Sequence, residues 1–145
     1  MNAARISILG FIVAVLGLLG LATTNHLWGI GPISIGLQVA AALFMLWARL
    51  TFGMRSFNAA ATPTEGGLVM RGPYALVRNP IYAAVLLFSW TAVAVHFDPV
   101  SLACGVAITA GMLVRVFAEE RELRARYPEY AQYSQRVKRL IPFIF

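Results

Sequence analysis

Cysteine occurs once in the 145 residues, at Cys104, which excludes an intramolecular disulfide and a thiol-based metal cluster. Histidine occurs twice, at His26 and His96, with no partner spacing suited to a metal, and the paired glutamates lack companion ligands, so no metal is implied. Charged residues make up only 12% of the chain. No internal repeat or low-complexity tract is present. The first apolar run has no A-x-A-like cleavage site followed by a polar region, so it reads as a retained helix rather than a removed signal peptide.

What the chain has in abundance is apolar surface. Its hydrophobic content of 59% and mean hydropathy of +0.72 exceed what a water-soluble core absorbs. Four apolar runs separate themselves, at about residues 6–23, 33–50, 81–96 and 100–118, each close to the roughly 20 residues that cross a bilayer. The third is the shortest and would cross with little tilt or with help from its flanks. The basic residues follow the runs. Arg5 precedes the first; Arg49, Arg55, Arg71 and Arg78 lie between the second and third; Arg115, Arg121, Arg124, Arg126, Arg136, Lys138 and Arg139 lie at or beyond the end of the fourth. The connections Thr24 to Pro32 and Phe97 to Pro99 carry no Lys or Arg. By the positive-inside rule this predicts four spans with both termini cytoplasmic. The net charge of +6 therefore points to anionic lipid rather than nucleic acid.

The expected architecture is a single all-α domain, residues 1–145: a bundle of four transmembrane helices with a cytoplasmic cofactor-binding loop and a C-terminal amphipathic segment, residues 119–145. Gly10, Ala14, Gly17 and Gly20 put small residues at spacings that let the first helix pack closely within the monomer. His26 and His96 read as interfacial or solvent-facing, and Asp98-Pro99 as a tight turn. The loop Thr51 to Pro80 is longer than a bundle connection requires and mixes polar residues with Phe57, Leu68, Val69, Tyr74, Leu76 and Val77, which predicts a structured loop on the membrane face.

Two constellations carry chemistry. Arg71 to Tyr82 combines turn residues, two guanidinium groups, an amide and aromatics immediately before a span, as a site for an amphipathic anionic ligand would. The same residues also read as a helix start, with Asn79 as cap and Pro80 in the first turn. Arg115 to Leu123 places Arg115 and Glu119 four apart on one helix face, where they can pair, with Glu120 beside them. Carboxylates at a membrane boundary are functional by default, although a solvated helix end would also carry them.

The segments "GPYALVRNPIYAAVLLF" and "EERELRARYPEYAQYSQRVKRLIPF", separated by one apolar hairpin, resemble the isoprenylcysteine carboxyl methyltransferase family and its wider kin, the phospholipid methyltransferases. The resemblance covers Gly66 to Phe145; the first two helices match only as spans. It implies a membrane methyltransferase that binds S-adenosylmethionine, releases S-adenosylhomocysteine, and acts on a lipidic or hydrophobic acceptor. Carried over by position, Tyr74, Leu76, Arg78, Asn79, Pro80, Tyr82, Glu119 and Glu120 would hold the cofactor. Arg78 and Glu120 would be catalytic. Arg115, Tyr130, Tyr133 and Arg136 would meet the acceptor, and Pro142 falls on the family's C-terminal pattern. Asn79 stands where the family usually has His, and an amide does not titrate near neutrality.

Methyl transfer from a sulfonium needs positioning more than acid–base help. Without a base an amine acceptor is disfavoured, so O-methylation of a carboxylate leads, with phospholipid N-methylation or thiol methylation as alternatives. A sterol-type NADPH reductase and a non-enzymatic membrane scaffold are the competing classes.

Overall fold

A computed structural model describes residues 3–53 and 67–145. Arg55 and Phe57, which the sequence assigns to the long loop, lie outside the described residues. The described chain is helical with no strand: α1 (Ala3–Thr23), α2 (Pro32–Phe52), a single 3-10 turn (Gly72–Ala75), α3 (Pro80–Val95), α4 (Pro99–Arg126) and a short α5 (Tyr130–Arg136). α1, α2 and α4 are long and apolar enough to cross a membrane. α3, with 16 residues, is about 24 Å long and falls short of the others.

Proline sets three of the starts. Pro32, Pro80 and Pro99 each occupy the first turn, where a missing N–H costs nothing. Asp98 caps α4 by accepting from Val100 N at 2.9 Å and Ser101 N at 3.2 Å. α4 runs through the apolar stretch into Glu119–Arg126 and ends just before Pro128, because the residue ahead of a proline is pushed out of the helical region.

The helices form a row in which α1 packs along α4, α4 against α3, and α3 against α2. The α1 seam is Ala3, Ser7, Gly10, Ala14, Gly17 and Leu21, alternating steps of four and three, the repeat of left-handed helix pairs. Small residues let the backbones nearly touch. A Cβ added at Gly10 would lie 2.7 Å from Gly111 O, and one at Gly17 2.7 Å from Ile108 Cγ1. The small residues of α1 thus serve packing inside the monomer. The core around this seam is Ala14, Leu21, Val93, Ile108 and Met112. Elsewhere α1 and α2 expose Leu16, Leu19, Leu43, Leu46 and Leu50, a surface suited to lipid rather than water.

Neighbours in the row run antiparallel, which gathers the starts of α1 and α3, the ends of α2 and α4, and α5 at one end. The opposite end holds the two short connections. There Gln38, fully buried on α2, accepts from Gly29 N and donates to Leu27 O and Phe88 O. His26 and His96 stack at 4.5 Å with planes 8° apart. His26 Nδ1 lies 2.8 Å from Ser101 Oγ and 3.1 Å from Asp98 Oδ2, while His96 Nε2 lies 2.8 Å from Trp28 O. The histidines, which the sequence reads as interfacial or solvent-facing, are tied into a latch between the two connections.

Candidate functional site at the polar end

The site begins at Gly72, whose φ of 60° opens the 3-10 turn in a conformation few side chains accept. Pro73 and Tyr74 are buried by that turn, and Tyr74 stacks on Phe52 at the end of α2, 5.6 Å between ring centroids. The chain then extends. Val77 pairs with Lys138 in one parallel bridge; Arg78 N donates to Lys138 O at 2.7 Å and Asn79 N to Arg139 O at 3.0 Å. This short ladder fastens the segment before α3 to the segment after α5.

Glu120, 3% exposed, lies at its centre. Its Oε1 accepts from Arg78 Nε at 3.1 Å, Arg78 Nη2 at 2.9 Å and Asn79 Nδ2 at 3.2 Å. Its Oε2 accepts from Arg78 Nη2 at 3.2 Å and Arg139 Nε at 3.0 Å. Arg78 Nη1 donates to Ser134 O at 2.7 Å and Val137 O at 2.5 Å. All five guanidinium N–H groups of Arg78 are thereby engaged, and both carboxylate oxygens of Glu120 are bonded. The bidentate geometry is the strong form of such a pair.

In this structure the hydrogen-bonding groups of Arg78 and Glu120 are taken by the protein itself, so the pair fastens the segment before α3 to α4, α5 and the segment that follows α5. Asn79 sits at the cap position of α3 yet makes no capping bond; its amide goes to Glu120 and, at 3.4 Å, to Arg139 O. Pro80 opens the helix as expected.

A second cluster lies beside the first. Glu119 Oε1 accepts from Tyr82 Oη at 2.5 Å and Arg115 Nη2 at 2.9 Å, and Arg115 Nε donates to Tyr82 Oη at 3.0 Å. Arg115 also reaches Ser7 O at 3.5 Å and lies over the Phe11 and Tyr82 rings at 5.3 and 5.4 Å. The Glu119 side chain is about a quarter exposed, unlike that of Glu120. Three arginines, Arg78, Arg115 and Arg139, face two glutamates, which leaves one positive charge in excess.

The tyrosines close the site from α5. Tyr130 and Tyr133 pack edge to face at 5.8 Å, Tyr133 Oη donates to Tyr74 O at 2.5 Å, and the Arg78 guanidinium lies 6.0 Å from the Tyr130 ring. Burial pushes the hydroxyls of Tyr74, Tyr130 and Tyr133 well above their usual range, reinforced at Tyr74 by Glu119, so they remain neutral donors at any physiological pH. Leu76 and Arg136 are exposed, and neither side chain joins the two carboxylate clusters. Pro142 lies on the exposed turn that follows. Arg139, half of the clamp on Glu120, carried no site assignment from sequence. Its only signal was its place in the basic run Arg136 to Arg139.

Comparison with family models, with curated proteins and with solved structures finds no match for this chain. Fold and site together define a helical protein with membrane-length apolar helices and a charged lock at one end.

Proposed function

We propose that the chain is a four-span membrane methyltransferase, with its polar end and both terminal segments on the cytoplasmic side, that uses S-adenosylmethionine to methylate a hydrophobic acceptor. The observation that carries this reading is the lock of Arg78, Asn79 and Arg139 on Glu120. It joins the two segments that resemble the isoprenylcysteine carboxyl methyltransferases into one structure beside a more accessible carboxylate. The gathering of basic residues at that end supports the orientation. α3, shorter than its neighbours, would complete the four spans with its flanks at the interface.

The residues suit the cofactor. Glu119, held by Tyr82 and Arg115, is the carboxylate with an exposed edge, fit to accept from ribose hydroxyls or the cofactor's amino group. Tyr74 and Phe52 offer a stacked aromatic wall for adenine. The surplus guanidinium charge suits the carboxylate of the cofactor or of the acceptor. When bound, the sulfonium supplies an already activated methyl group, so the protein's task is alignment.

Neither Asn79 nor the raised tyrosines would take a proton near neutrality. That favours an acceptor that attacks without losing one, a carboxylate before an amine. A non-enzymatic scaffold is the second reading, favoured by the saturation of Arg78 and Glu120.

Calorimetric titration of S-adenosylhomocysteine into detergent-purified protein tests the proposal. Saturable binding is expected, weakened about tenfold or more in Glu119→Gln, as for loss of one charge-assisted bond. A folded wild type that binds neither S-adenosylhomocysteine nor S-adenosylmethionine overturns it in favour of the scaffold.

A further inference from the structure

Beyond the lock, residues 140–145 form a closed apolar turn. Leu140 N and Ile141 N both donate to Phe145 O at 2.7 Å, and Ile144 N and Phe145 N return to Ile141 O at 3.2 and 3.1 Å. Leu140 is buried, but Phe143 is 94% exposed and Ile144 75%. Phe143 also holds φ at 66°, a left-handed conformation unfavourable for a bulky side chain. A turn that strains a phenylalanine in order to present it, with a second large apolar side chain beside it, is poorly suited to water.

Two further observations identify what covers it. The Arg139 guanidinium lies 5.3 Å from the Phe117 ring and 5.4 Å from the Phe145 ring. Phe117 is an exposed residue at the end of the apolar part of α4, two residues before the charged extension. Through Arg139 the turn is thus held beside the end of the apolar part of α4. Its flank is basic: Arg136 and Lys138 are exposed, and Arg139 is partly so. Apolar tips bordered by Lys and Arg match the boundary of a bilayer with anionic headgroups.

We infer that the 140–145 turn is a lipid anchor, with Phe143 and Ile144 inserted into the headgroup and acyl boundary of the leaflet at the polar end, and Arg136 and Lys138 on its anionic headgroups. The inference rests on α4 as a span and is independent of methyl transfer. Because Arg139 touches both the turn and Glu120, the anchor and the lock share one residue.

The test places a single cysteine at Phe143→Cys, and separately at Ile144→Cys, in a Cys104→Ala background. Each is labelled with an environment-sensitive fluorophore and reconstituted in phosphatidylcholine vesicles containing one third phosphatidylglycerol. Ala131→Cys, at an exposed position of α5, is the reference. Blue-shifted emission at both positions, with quenching by spin-labelled lipid at least twofold above the reference, is expected, and weaker quenching when phosphatidylglycerol is omitted. Emission and quenching equal to the reference at both positions overturn the anchor, whether or not the protein binds a cofactor. Shielding at both positions that no lipid quencher reaches also overturns it, in favour of a protein partner.

Discussion

The two ends of the row are fastened by different chemistry. At the polar end a buried carboxylate is held by two guanidinium groups and an amide, and Arg78 has a partner for every N–H. At the opposite end the connections are joined by a stacked histidine pair, a serine, a glutamine and one solvent-accessible carboxylate. Removing a member of the first assembly strands a charge where water does not reach it. In the second, the His26 and Asp98 side chains are each about a third exposed, so water can take the place of either one, while Gln38 and Ser101 are buried. The contrast teaches where each end is vulnerable: the polar end to the loss of a partner, the opposite end to a change of protonation.

The largest expected effect is at Glu120→Gln. The neutral amide leaves Arg78 without its counter-ion, and losing one partner of such a pair costs about 3–5 kcal/mol. Thermal unfolding of the detergent-purified protein should show a large fall in midpoint. Adding Arg139→Gln to Glu120→Gln should cost less than the two separate losses combined, because the second change removes one of the cations left behind. Strict additivity would show that the clamp on Glu120 is not one unit.

A smaller effect belongs to the opposite end. Asp98 is held below the usual carboxylate range chiefly by the hydrogen bond from Ser101 Oγ, with help from the backbone N–H groups of Ser101 and Val100 and from His26. A depressed carboxylate contributes stability that is present above its unfolded pKa and is lost as pH falls through the folded one. The wild type should therefore lose stability in mild to strong acid, and Asp98→Asn should be less stable near neutrality but flatter with pH in that range. Melting curves across the acid range check this. An unchanged acid profile in the variant would remove Asp98 from the latch.

The smallest effect is at Ser7, whose Oγ is buried in the α1–α4 seam with no hydrogen-bond partner among the described residues. Ser7→Ala removes a desolvated hydroxyl and should leave the melting point unchanged or slightly higher. A clear loss would mean that the hydroxyl has a partner and that the polar end reaches further into the seam.

Much of the helical frame was legible in local sequence. Apolar runs, the prolines at positions 32, 80 and 99, the small residues of α1 and the stop before Pro128 all act within a turn or two of themselves. Arg115 and Glu119 could be paired by their spacing of four, and they do pair. The clamp on Glu120 could not be read this way. Its partners lie 19 to 42 residues away and meet it only because residues 77–79 run beside 138–139. The same holds for Gln38, whose partner Phe88 is 50 residues distant, and for the stacked histidines. Family resemblance marked Arg78 and Glu120 as important. The geometry shows that the two residues also hold the frame together.

The ladder between residues 77–79 and 138–139 carries a consequence for how the chain is made. Its backbone bonds join Arg78 to Lys138 and Asn79 to Arg139, 60 residues apart in each pair. At synthesis rates of roughly 5–20 residues per second, the start of α3 waits about 3–12 s after it is made before its partner strand exists. For much of that interval Arg78 has neither Glu120 nor the carbonyls of Ser134 and Val137. Through that interval the Arg78 guanidinium is without its final partners, and the lock can close only once α4, α5 and Arg139 have all been made.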